Sequence, residues 1–75
     1  MKKGDKILIE YRSDAFSSDL TRVTRSVRDL DEYGNIYVIV KGHCLKYTID
    51  EVIEINGKPN PDYKEKVWNG DYCTI

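Results

Sequence analysis

The chain has little of what most enzymes and metal proteins use: one histidine, two cysteines, two prolines, one tryptophan and one phenylalanine in 75 residues. A cysteine or serine nucleophile needs a base within hydrogen-bond reach, and the only histidine, His43, adjoins Cys44 in a strand-like run, where neighbours point to opposite faces. Catalysis is therefore not expected. His43, Cys44 and Cys73 show no metal-ligand spacing, so neither a metal nor a cofactor is expected. The two cysteines are too far apart in sequence to define a disulfide framework, and the expectation is two free thiols.

No charge of one sign predominates either. Twelve basic and thirteen acidic side chains leave a formal charge of -1, so no long-range field draws the molecule to nucleic acid or to an anionic membrane. The first nine residues hold a single short apolar run, Ile7 to Ile9, far below the ~18 needed to span a bilayer. A cytoplasmic protein without a membrane segment is expected. The length leaves room for one hydrophobic core, and a mean hydropathy of -0.59 leaves few apolar residues beyond it.

What is present is a succession of strand patterns. Residues 6–12 are β-branched and aromatic between Gly4-Asp5 and Ser13-Asp14, and predict a strand. Residues 13–19 predict an irregular loop pinned by Phe16. After a turn at Gly34-Asn35, residues 36–49 predict a hairpin closed by Gly42-His43. One face then collects Ile36, Val38, Val40, Leu45, Tyr47 and Ile49 as the core side. The other collects Tyr37, Ile39, Lys41, Cys44, Lys46 and Thr48. Residues 48–51 predict one helical turn, and residues 52–55 a short strand stopped by Asn56-Gly57.

Residues 20–30 carry two patterns. Leu20, Val23, Val27 and Leu30 recur at helical spacing, yet Thr and Val suit a pleated surface better. A long, bent strand is the favoured reading, and a helix over about 18–30 packed on a β-hairpin sheet the alternative. From residue 58 onward Asn60, Pro61 and Gly70 could delimit a short helix with Tyr63 and Val67 on one side and Trp68 beside it.

Strand, irregular loop, long bent strand, tight hairpin, one helical turn and a short closing strand: over residues 4–56 this order resembles SH3-like and Sm-like small β-barrels, and residues 48–55 (TIDEVIEI) resemble their usual finish. The acidic-aromatic motif of peptide-binding SH3 domains is absent from the first strand and loop. The resemblance implies a mainly β, five-stranded barrel over residues 1–57, with residues 58–75 as a C-terminal extension forming a short helix or tail. It also implies a binding scaffold rather than an enzyme, although fold analogy by itself assigns no function.

Two surfaces qualify as binding sites. The first takes another protein or a second copy of the chain through Tyr37, Ile39 and Lys46 on the outer hairpin face, with Tyr63 and Trp68 of the C-terminal segment, exposed aromatics being the usual anchors of such contacts. The second would bind nucleic acid through Arg22, Arg25 and Arg28, extended by Lys41 and Lys46 beside Tyr37. On a strand Arg25 opposes Arg22 and Arg28, which dilutes that cluster. The acidic clusters at Asp29-Asp31-Glu32 and Asp50-Glu51 fall at expected turns, where carboxylates serve local hydrogen bonding.

Overall fold

The computed structural model describes residues 1–11 and 21–64. Among these residues seven short strands make two antiparallel sheets. β1 (Lys6–Tyr11), β2 (Thr21–Ser26), β6 (Glu54–Ile55) and β7 (Lys58–Pro59) form one, in the order β2-β1-β6-β7. β3 (Asp29–Leu30), β4 (Ile36–Val40) and β5 (His43–Tyr47) form the other, in the order β3-β4-β5. The sheets are open rather than closed into a barrel, which corrects the closed five-stranded barrel expected from the sequence. No α-helix occurs among the described residues.

The conflict over residues 20–30 resolves as a bent strand for residues 21–30, and the helical alternative is overturned; Leu20 lies outside the described residues. β2 pairs along its whole length with β1, from Lys6 opposite Ser26 to Tyr11 opposite Thr21. At the break the backbone changes sheets: the Val27 N–H donates to the Asp5 carbonyl at 2.8 Å, and the Arg28 N–H to the Tyr37 carbonyl at 2.8 Å. The break also changes the parity of side-chain alternation, as an extra residue in one strand does. Val23 and Val27 face the core before it and Leu30 after it, so Leu30, which would point away in a straight strand, packs on the core.

The β4–β5 hairpin has the expected faces but a different register. Val38 lies opposite Leu45 and Val40 opposite His43, so the loop is Lys41-Gly42 and not Gly42-His43. Both loop residues have positive φ, 51° and 80°, the pattern of a type I′ turn whose twist matches that of the flanking strands. The shift is by two residues, the period of a strand, and therefore leaves every side chain on its expected face. Ile36, Val38, Val40, Leu45 and Tyr47 are all buried. Ile49 is corrected: it leaves the strand for the 3-10 turn Ile49–Glu51 and is 39% exposed.

Nor does the chain leave the sheet at Asn56-Gly57. These residues also have positive φ, 51° and 80°, and turn the chain back so that Glu54 faces Pro59 and Ile55 faces Lys58. Asn60 follows, buried, with its side-chain N–H groups donating to the carbonyls of Ile49 at 2.8 Å and Val52 at 2.7 Å. It caps no helix among the described residues. Residues 61–62 form a turn, with the Asp62 N–H donating to Asn60 Oδ1 at 3.1 Å, and residues 65–70 of the expected helix lie outside the described residues.

Ile7, Ile9 and Tyr11 of β1, Val27 at the break, the five buried hairpin residues and Val52 make one core between the sheets. A polar tie crosses it. The Tyr47 hydroxyl, on a fully buried side chain, donates to the Glu10 carbonyl of the other sheet at 2.6 Å. Tyr47→Phe deletes the donor and leaves a carbonyl unsatisfied, so it should lower unfolding free energy by about 1–3 kcal/mol, measured by urea denaturation with an unchanged m-value.

Candidate interaction surface

Strand pairing places the outer-face residues of the β3-β4-β5 sheet in rows. Asp29 lies opposite Tyr37 and Tyr37 opposite Lys46, one row spanning all three strands. Ile39 lies opposite Cys44 in the next. Tyr37, Ile39, Cys44 and Lys46 are each half-buried and Asp29 is exposed. An acid, an aromatic ring, an ammonium and an aliphatic side chain therefore adjoin on one surface. The expected group of Tyr37, Ile39 and Lys46 is brought together.

The Asp31 carboxylate organises one border of this surface. Its Oδ1 accepts the N–H groups of Tyr33 and Asn35, both at 2.9 Å, and its Oδ2 accepts the Asn35 side-chain amide at 2.8 Å and the Tyr37 hydroxyl at 2.9 Å. Four donors on one carboxylate are what an Asp at the head of a turn can recruit. The donated hydrogen bonds, that of the Asn35 side chain foremost, hold the Asp31 carboxyl below its ordinary range. The hydrogen bond that the Tyr37 hydroxyl donates to Asp31 pushes the Tyr37 phenol above its ordinary value. Tyr37 is thus held by its hydroxyl with its ring on the outer face. Tyr33, held by its backbone on the same carboxylate, is 82% exposed.

Tyr33 was not legible as a surface residue of note, because its exposure depends on how the turn is fastened. The available signal was the Asp31-Glu32-Tyr33-Gly34-Asn35 stretch itself, where Gly34 has φ of 86° and the flanking Asp and Asn are turn formers. Tyr63 is half-buried, its N–H donating to the Asn60 carbonyl at 3.1 Å beside the 3-10 turn. Trp68 lies outside the described residues.

The basic residues do not gather in the same way. Arg22 and Arg25 lie on opposite faces of β2, opposite Glu10 and Ile7 respectively. Arg22 pairs with Glu10 at 3.6 Å, while Arg25 donates to the Thr24 carbonyl at 2.8 Å. Arg28 is exposed at the break. Lys41 sits at the hairpin turn with its ammonium 5.9 Å from the centre of the Tyr11 ring, a cation–π distance. Lys46 belongs to the Tyr37 row.

Among the described residues no cluster of His, Cys, Asp and Glu could hold a metal ion, and no helix is long and apolar enough to cross a membrane. Cys44 is disulfide-bonded and not free, which corrects the expected thiol. Cys73, the one other cysteine in the sequence, lies outside the described residues. Comparison with protein-family models, with curated proteins and with solved structures finds no match for the chain.

Two measurements check this geometry. Asp5, Asp29 and Asp31 all titrate below their ordinary range because they accept hydrogen bonds, those from backbone Lys2, backbone Leu30 and the Asn35 side chain being the largest causes. Depressed carboxyls stabilise the fold above the unfolded-state value of about 3.9 and lose that contribution as pH falls through the lower folded values. The urea midpoint should accordingly be flat from neutral pH to about pH 5 and fall below about pH 4, with a smaller fall in Asp31→Ala. Thiol titration of the denatured, unreduced protein should find no free cysteine, and after reduction should find both.

Proposed function

We propose that this protein is a non-enzymatic interaction module that docks another protein, or a second copy of itself, on the outer face of its three-stranded sheet. The observation that carries this reading is the adjacency of Tyr37, Ile39 and Lys46, bordered by the exposed ring of Tyr33 on its fastened turn. Tyrosines lose little conformational freedom on binding, and a ring already held in place loses less still. Lys46 and Asp29 supply charges of both signs at the edges of the row, where they would set orientation and partner choice more than affinity.

The finer fold assignment belongs to the same proposal. A strand that bends from one sheet into another, a tight hairpin, and a 3-10 turn before a short strand that pairs with β1 are the features of an open SH3-like arrangement. Such scaffolds present binding surfaces on a rigid sheet. The C-terminal residues Tyr63 and Trp68 remain part of the proposed contact.

A nucleic-acid interface through Arg22, Arg25, Arg28, Lys41 and Lys46 draws less support, because the arginines divide between faces and Arg22 already has an acidic partner. The disulfide at Cys44 counts against the cytoplasmic placement expected from composition, since structural disulfides persist mainly in oxidising compartments.

Sedimentation velocity across a concentration series tests the self-docking form: the mass should rise above that of the monomer, and Ile39→Lys and Tyr33→Ala should each lower it. If the wild type stays monomeric at every concentration, self-docking is discarded and the partner must be another protein. A single-stranded oligonucleotide titrated at two salt concentrations tests the other reading. No shift at either salt is expected, whereas binding that weakens steeply with salt would transfer the function to nucleic acid.

A further inference from the structure

The Asn56-Gly57 turn joins β6 to β7 and is also the point where the chain's N-terminal turn is fastened. Asn56 Oδ1 accepts the Lys6 N–H at 3.0 Å, and its side-chain amide donates to Asp5 Oδ1 at 3.3 Å. The Asn56 N–H donates to the Lys6 carbonyl at 2.6 Å. Asp5 in turn accepts the Lys2 N–H through Oδ2 at 3.0 Å. Both Asn56 and Gly57 are exposed. A Cβ built on Gly57 would meet nothing within 4 Å beyond its two chain neighbours, so no other part of the fold crowds the turn at that carbon.

An asparagine followed by glycine is the most vulnerable arrangement for attack of the next backbone nitrogen on the side-chain amide, because glycine has no Cβ to obstruct the ring that forms. Here the reacting amide is tied in the opposite sense, to Asp5 and Lys6. A susceptible dipeptide and a tied side chain thus meet at one turn.

We propose that Asn56-Gly57 is a deamidation site in the folded protein, and that the contacts of Asn56 with Asp5 and Lys6 form a latch setting how fast it reacts. The deprotonated Gly57 nitrogen adds to Asn56 Cγ, the Cγ–Nδ2 bond breaks, and the nitrogen leaves as ammonia with protons taken from water. Water then opens the cyclic imide at either carbonyl, giving aspartate or isoaspartate and one new carboxylate. No oxidant, reductant or enzyme enters the balance.

The product also undoes the latch. A carboxylate at position 56 has no N–H to donate and sets its charge against Asp5. The isoaspartate form adds a methylene to the backbone of a turn whose fit depends on having two residues. Modification therefore loosens the N-terminal turn from the β6–β7 hairpin, and with it the segment leading to Asn60.

The test is a time course at mildly alkaline pH on the full chain, followed by reduction, tryptic digestion and mass spectrometry with an isoaspartate methyl-transfer assay. The Lys58-Pro59 bond resists trypsin, so Asn56 falls in a 47–64 peptide and is read apart from the second Asn-Gly pair, Asn69-Gly70, in 67–75. Wild type should convert slowly at Asn56. Asp5→Ala should convert about fivefold faster, the factor that one net hydrogen bond represents, while Asp5→Asn, which keeps an acceptor, should stay near the wild-type rate. Equal rates in wild type and Asp5→Ala would overturn the latch, and an Asn56 intact in both folded proteins but lost in the urea-unfolded chain would overturn the site. If Asp5→Ala does not fold, wild type against the urea-unfolded chain decides: equal rates overturn the latch, no conversion in the folded chain overturns the site, and measurable but slower conversion upholds both.

Discussion

Two consecutive amides hold this fold together. Val27 donates its N–H to Asp5 in one sheet and Arg28 donates to Tyr37 in the other, so a single peptide step carries the chain across the core. Everything apolar must then fit between the two sheets that meet there. Val27 is buried at the crossing because its neighbours on either side belong to different layers. The parity change at the same step turns Leu30 inward. A straight strand would leave Leu30 outside, and a helix would supply neither sheet with its edge.

The crossing also explains how a polar outer surface gains order. Arg28 and Asp29 deliver the chain to β4, and the next residue but one, Asp31, collects four donors on its carboxylate. Tyr37 lies opposite Asp29 and its hydroxyl reaches the same carboxylate. The proposed docking face is thus secured at one border by hydrogen bonds, and at its rows by strand register. The opposite side of the sheet is buried in one core with Ile7, Ile9 and Tyr11. Rigidity of this kind favours binding, because little freedom remains to be lost when a partner arrives.

Sequence periodicity was a good guide wherever a residue's environment depended on alternation alone. Alternation puts Ile36, Val38, Val40, Leu45 and Tyr47 on the core face although the expected hairpin loop falls one residue late, since that moves the cross-strand pairing by two and a slip of two preserves facing. The bend in residues 20–30 was legible from the conflict between helical spacing and strand composition. The Asn56-Gly57 hairpin was missed, although that dipeptide signals a tight return turn, because the strand before it is only two residues long. The surface of Tyr37, Ile39 and Lys46 could be drawn up from alternation. Tyr33 could not, since nothing local tells which side of a turn faces water. Cys44 could not be paired by spacing, because a disulfide depends on distance in space.

The sequence by itself determined that this is a mainly β chain, which residues of the central hairpin face inward, and where the helical turn before β6 falls. These follow from local rules: side chains alternate along a strand, and only certain residues accept turn geometry. Tertiary structure alone decided that the sheets remain open, that Ile49 is exposed while Asn60 is buried, and that Cys44 is bonded. Each of those depends on partners distant in sequence, as when Asn60 satisfies the carbonyls of Ile49 and Val52. Long-range pairing is specified by the mutual fit of whole surfaces, which no short window of residues contains.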